Sequence, residues 1–128
     1  MSILELLPII LYAMTIIIVL LIGADKDFPK PLTITFISIL ALAFIVFSVV
    51  TVVNDGLPQF WINHTTNMTG NQVWFDLIFA VAVAFYLIAP RAKAVGMPLF
   101  PWALAVILTA NVALLPMLAR LIWLEKQV

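Results

Sequence analysis

The stretch WALAVILTANVALLPMLARLIWL, from Trp102 to Leu124, holds a single charged side chain, Arg120. A helix needs about 20 mostly apolar residues to cross roughly 30 Å of hydrocarbon, so this stretch reads as a membrane span. Three more segments pass the same test when Gly, Pro and charges are taken as boundaries: Glu5 to Ile22, Leu32 to Val53 and Val73 to Ala89. The connections 23–31, 54–72 and 90–101 are rich in turn formers. The expected fold is an all-α membrane protein. It is a single domain over residues 1–128, a bundle of four transmembrane helices with a short interfacial helix in the second loop.

Composition supports the same class. Of 128 residues 66% are hydrophobic and 9% are charged, whereas a soluble domain averages about 25% charged residues. Six basic and six acidic side chains cancel, and no basic cluster offers the positive footprint that nucleic acid requires. The chain has no cysteine, which excludes disulfides, thiol relays and thiolate metal sites. The first apolar run lacks the basic leader and cleavage site of a secretory signal, so it is expected to stay as a helix. Basic residues are held on the cytoplasmic side. Lys26 and Lys30 in the first loop and Arg91 and Lys93 in the third outnumber Arg120 and Lys126. That count places loops one and three in the cytoplasm and both termini on the non-cytoplasmic side.

In the second loop, Leu57, Phe60, Trp61 and His64 follow i, i+3, i+4, i+7 spacing, which puts an aromatic stripe on one side of a short helix. Trp favours the headgroup level, so Phe60, Trp61 and His64 are expected to anchor this helix in the interface, as a resting loop or a lid. Asn63-His-Thr65 and Asn67-Met-Thr69 match the glycosylation sequon, of use only in a eukaryotic secretory pathway.

Ionisable groups inside a span are expensive and are candidates for function. Asp76 shares a face with Ala80 and Ala84, and Arg120 shares one with Trp102, Ala105, Thr109, Ala113 and Pro116. Faces of small residues let helices approach closely in lipid. If the third and fourth spans are antiparallel neighbours, Asp76 and Arg120 fall at similar depth and form an ion pair, either a clasp or a polar floor for an anionic group. Asn111 is the one amide near midspan. It lies about 180° around the helix from Arg120 and is expected to bond Thr15, Ser48 or Thr51, or to orient a ligand. Pro116 frees the carbonyl of Val112 and predicts a kink, while Pro8 sits in first turns, where its missing donor matters less.

The chemistry-bearing residues are sparse. One histidine, His64, cannot supply a bis-histidine haem, and no metal-ligand spacing occurs. No midspan carboxylate is present for proton coupling, and no phosphate-binding or nucleophile motif appears. No cofactor, metal or catalytic residue is therefore expected.

Asp76 opening a span, the Arg91-Ala-Lys-Ala-Val-Gly-Met97 segment, Trp102 and Leu115-Pro116 before Arg120 resemble a family of small bacterial membrane proteins known only as a domain of unknown function. In that family a Gly is favoured ahead of the Leu-Pro pair, where this chain has Thr109, Ala110 and Asn111. The resemblance covers about the second half of the chain. It implies a bacterial inner-membrane location and four helices, and it implies no activity.

Three functions follow as expectations. The favoured one is an accessory or assembly subunit that packs against a larger membrane complex or oligomerises, with Phe36, Phe44 and Phe47 as contact residues. The second is binding or transport of a hydrophobic small molecule or lipid beside Asn111 and Arg120. The third is an enzyme acting on an apolar substrate such as a carotenoid or sterol, with Asp76 or Glu5 as general acid. Membrane lipids are expected partners in every case.

Overall fold

The computed structural model describes all residues, 1–128, as six helices with no strand. They are α1 (Ile3–Gly23), α2 (Lys30–Asp55), α3 (Pro58–Thr65), α4 (Met68–Ala94), α5 (Leu99–Thr109) and α6 (Asn111–Gln127). Three of them, α1, α2 and α4, are long and apolar enough to cross a membrane.

Local chemistry sets the ends of these helices. Ser2 Oγ accepts from the Glu5 N–H while the Ser2 N–H donates to the Glu5 carboxylate at 2.7 Å, a reciprocal cap that satisfies two orphan donors of α1. Pro31 lies in the first turn of α2, where its missing N–H has no helical partner to lose. Asn67 Oδ1 accepts from Gly70 N–H at 2.7 Å and starts α4. The stripe expected over Leu57–His64 does form a helix, α3, which packs on the start of α4. A Cβ on Gly70 would stand 2.9 Å from the His64 Cα, so glycine is what permits this close approach.

The stretch from Trp102 to Leu124 is not one continuous helix. α5 ends at Thr109, and Ala110 takes φ 51° and ψ −119° before α6 begins. Those angles match the first central residue of a type II′ turn, a position that favours glycine. The chain doubles back: Glu125, near the end of α6, bonds Arg91 near the end of α4, and Lys30 at the start of α2 reaches the same residue. The C-terminus therefore lies at the same end of the molecule as the first and third loops, not at the opposite end. The interruption is at Ala110 and not at Pro116, where α6 runs on.

The reversal creates the core. α6 lies along α2 and also touches α4 and α5. Ile88 and Ala92 of α4, Val106 of α5 and Ala113, Leu114, Met117 and Leu121 of α6 form one buried cluster with Met97. Met117 and Leu121 are wholly enclosed. From α2 come Ile37 and Ala41, one turn apart on the face toward α6. By contrast α1 buries none of its residues and forms no extended interface with another helix.

A non-glycine residue at the Ala110 angles costs of order 1–3 kcal/mol. Ala110→Gly is expected to raise the thermal stability of the detergent-solubilised protein by about 1 kcal/mol, and Ala110→Val to lower it. Thermal unfolding followed by circular dichroism checks both, and equal stability of the two variants would contradict the turn.

Candidate functional site

One end of the molecule gathers the positive charge. Arg91 donates to the Glu125 carboxylate from Nε at 2.8 Å and from Nη2 at 2.7 Å, a two-pronged contact and the one ion pair of the structure. Lys30 Nζ donates to the Glu125 carbonyl oxygen at 3.4 Å. This clasp joins the start of α2 to the ends of α4 and α6. Lys26 precedes α2, Lys93 follows Arg91 in the last turn of α4, and Arg120 and Lys126 sit in the last turns of α6. All six basic residues thus collect at this end, with Asp25, Asp27 and Glu125 as its acids. Asp55 and Asp76 belong to the far ends of α2 and α4.

The reversal separates the residues that the sequence joins. Asp76 lies 15 residues before Arg91, about 22 Å along α4, whereas Arg120 is little more than one turn from Glu125. Asp76 and Arg120 therefore form no pair. Instead the Arg120 guanidinium lies 4.6 Å from the centre of the Trp123 ring, a cation–π contact within α6. Of the expected face, Asp76 and Ala80 are exposed and Ala84 alone turns inward, with Leu77, Val81 and Ile88.

Asn111 opens α6 immediately after the turn. Its expected partners bond within their own helices: Thr15 to the Leu11 carbonyl, Ser48 to Phe44 and Thr51 to Phe47, at 2.7–2.8 Å. Thr109 does the same to Ala105 at 2.7 Å. The turn leaves the carbonyls of Ile107, Leu108 and Thr109 and the N–H groups of Asn111 and Val112 without backbone partners.

Trp61 and His64 of α3 meet Trp74 of α4, with ring centres 6.3 Å and 6.0 Å apart. His64 Nδ1 donates to the Phe60 carbonyl at 2.9 Å. Phe60 points away and is exposed. The Trp74 indole N–H is buried with no acceptor.

A groove of about 1040 Å³ runs between α4 and α5. Thirteen of its fifteen lining residues are apolar, so water has little to bond there. Trp74 and Ala110 mark one end, and Lys93 and Leu99 the other. Val81, Phe85, Ala103 and Val106 form its walls. Asp76, Arg120 and Asn111 do not line it.

Sequence reasoning uses Arg91 and Lys93 for topology, not as site residues, and does not use Glu125 at all. A signal was available: if the chain turns back after Ala110, Arg120 and Lys126 join the four other cations at one end, and Glu125 lands among them.

No family model, curated protein or solved structure matches the chain. Fold and composition define the class: a helical protein with three helices able to span a membrane and a hairpin, α5–α6, packed among them.

The Arg91 guanidinium holds the Glu125 carboxyl below the ordinary glutamate range, chiefly through the hydrogen bond. A carboxyl with a depressed folded-state value adds stability above its unfolded value and loses it as pH falls through the folded one. Both side chains are partly exposed, so the contribution is at most about 1 kcal/mol. Melting temperature is expected to fall on acidification below the ordinary glutamate range, and Glu125→Gln should remove that part of the acid response. An identical acid profile in the variant would contradict the clasp.

Proposed function

We propose that the chain is an accessory or assembly subunit of the bacterial inner membrane, held to another membrane protein or to further copies of itself through α1. The observation that carries this reading is α1 itself. Its 21 residues bury nothing against the rest of the chain. Lipid alone can cover apolar side chains, but Tyr12 lies at the middle of α1, is 72% exposed and bonds no group of this chain. A phenol at mid-depth in hydrocarbon has no water to bond, and interhelical hydrogen bonds are what satisfy such groups. A partner helix presenting an acceptor at that depth meets the need. Phe36, Phe44 and Phe47, all exposed on α2, extend the apolar surface.

The expected bundle becomes three spans with a re-entrant hairpin. α5 has 11 residues, about 16 Å of rise, or half the hydrocarbon core. With six cations at one end, the positive-inside tendency favours a cytoplasmic position for loops one and three and for the C-terminus, and an N-terminus on the other side. The enzyme reading gains nothing from its candidate acids. Glu5 is engaged in capping α1, and Asp76 is open and without a polar partner.

Replacing Tyr12 by a photo-crosslinking phenylalanine analogue tests the proposal in native membranes. Irradiation is expected to yield a discrete adduct with a second polypeptide, either another copy or a different protein. Adducts confined to lipid or to the same chain would overturn it.

A further inference from the structure

We propose that the groove between α4 and α5 binds one anionic phospholipid of the leaflet next to the basic end, with an acyl chain along the groove and the phosphate at Lys93. Three observations carry this, and none depends on α1 or its partner.

The first is shape. α5 rises about 16 Å before the chain turns at Ala110, and half of a hydrocarbon core is about 15 Å. The α5 wall of the groove is therefore about one leaflet long, while its α4 wall runs on from Lys93 to Trp74, about 28 Å. An acyl chain that enters beside Lys93 has both walls as far as Ala110 and the α4 wall beyond it.

The second is chemistry along its length. The walls offer Val81, Phe85, Ala103 and Val106 and no charged group until Lys93 at the mouth. Such a lining suits methylene chains along these walls, and the polar groups near Trp74 and Ala110 lie beyond them at the far end.

The third is charge. Arg91, two residues from Lys93, is neutralised by Glu125, but Lys93 has no carboxylate partner, since the Arg91–Glu125 pair is the one ion pair present. Six basic side chains share this end with only three acidic ones, and Lys93 is the one charged residue that lines the groove. Basic pockets between membrane helices on the cytoplasmic side suit anionic headgroups. A zwitterionic lipid would fill the same walls without satisfying Lys93, which is why the ligand is assigned as anionic.

The test is native mass spectrometry of the detergent-solubilised protein, titrated separately with phosphatidylglycerol and phosphatidylcholine. The wild type is expected to bind one phosphatidylglycerol saturably, with about fivefold preference over phosphatidylcholine, the effect of one lysine near an anionic surface. Lys93→Gln changes an exposed side chain, so the fold survives, and it should abolish the preference while leaving occupancy by either lipid. Ala103→Phe fills the groove and should remove both. Ala43→Phe, at an exposed position of α2, serves as a control of equal added bulk and should bind like the wild type. Several equivalent, non-saturating lipids would overturn the proposal, as would an unchanged preference in Lys93→Gln or retention by a folded Ala103→Phe.

Discussion

With its positive φ, Ala110 sends the chain back toward the end it came from, and the packing of the whole basic end depends on that reversal. The turn brings Leu114, Met117 and Leu121 of α6 against Ile88 and Ala92 of α4 and beside α2, the only region where side chains are wholly enclosed. It also delivers Glu125 to Arg91 and Lys30, so that one carboxylate and its own carbonyl hold three helices at their ends. The conformation is unfavourable for alanine, and the cluster it creates outweighs that penalty. Asp25 also has positive φ, at 56°, but aspartate tolerates the left-handed region far better than alanine.

The hairpin tip leaves backbone groups of Ile107 to Val112 without helical partners, and a hairpin inserted as proposed would carry them to about mid-depth. Irregular backbone at that depth persists only where protein or a wet cavity shields it. Ala110, Asn111 and Val112 are half-buried, Ile107, Leu108 and Thr109 are exposed, and Ala110 lines the groove between α4 and α5. The same turn therefore fixes the core and the clasp and ends the α5 wall of the groove.

Much of this was legible in the sequence. Continuous hydropathy with flanking Gly, Pro and charge marked α1, α2 and α4 to within a few residues, and the aromatic spacing from Leu57 to His64 marked α3. The break was not legible, because Thr109-Ala110-Asn111 contains neither glycine nor proline and alanine is the best helix former. Pro116 gave the stronger local signal for an interruption, yet a proline in a packed helix frees one carbonyl and lets the helix continue. Once Trp102 to Leu124 was taken as a crossing, Asp76 and Arg120 fell at equal depth by arithmetic alone. A continuous helix over Trp102 to Leu124 would put the C-terminus at the end opposite to the first and third loops, whereas Glu125 lies beside Arg91 and Lys30. The charges carried the correction: a crossing splits the cations four to two, whereas a hairpin gathers all six.

The absence of cysteine makes the decisive measurement simple, since every introduced thiol is the only one in the chain. Asp27→Cys, Asn67→Cys and Val128→Cys, each probed with a membrane-impermeant thiol reagent on intact cells and on inverted vesicles, report the side of the first loop, the second loop and the C-terminus. The hairpin predicts that Val128→Cys labels from the same side as Asp27→Cys and from the side opposite to Asn67→Cys. Labelling of Val128→Cys together with Asn67→Cys would mean that Trp102 to Leu124 crosses the membrane, and would contradict the account.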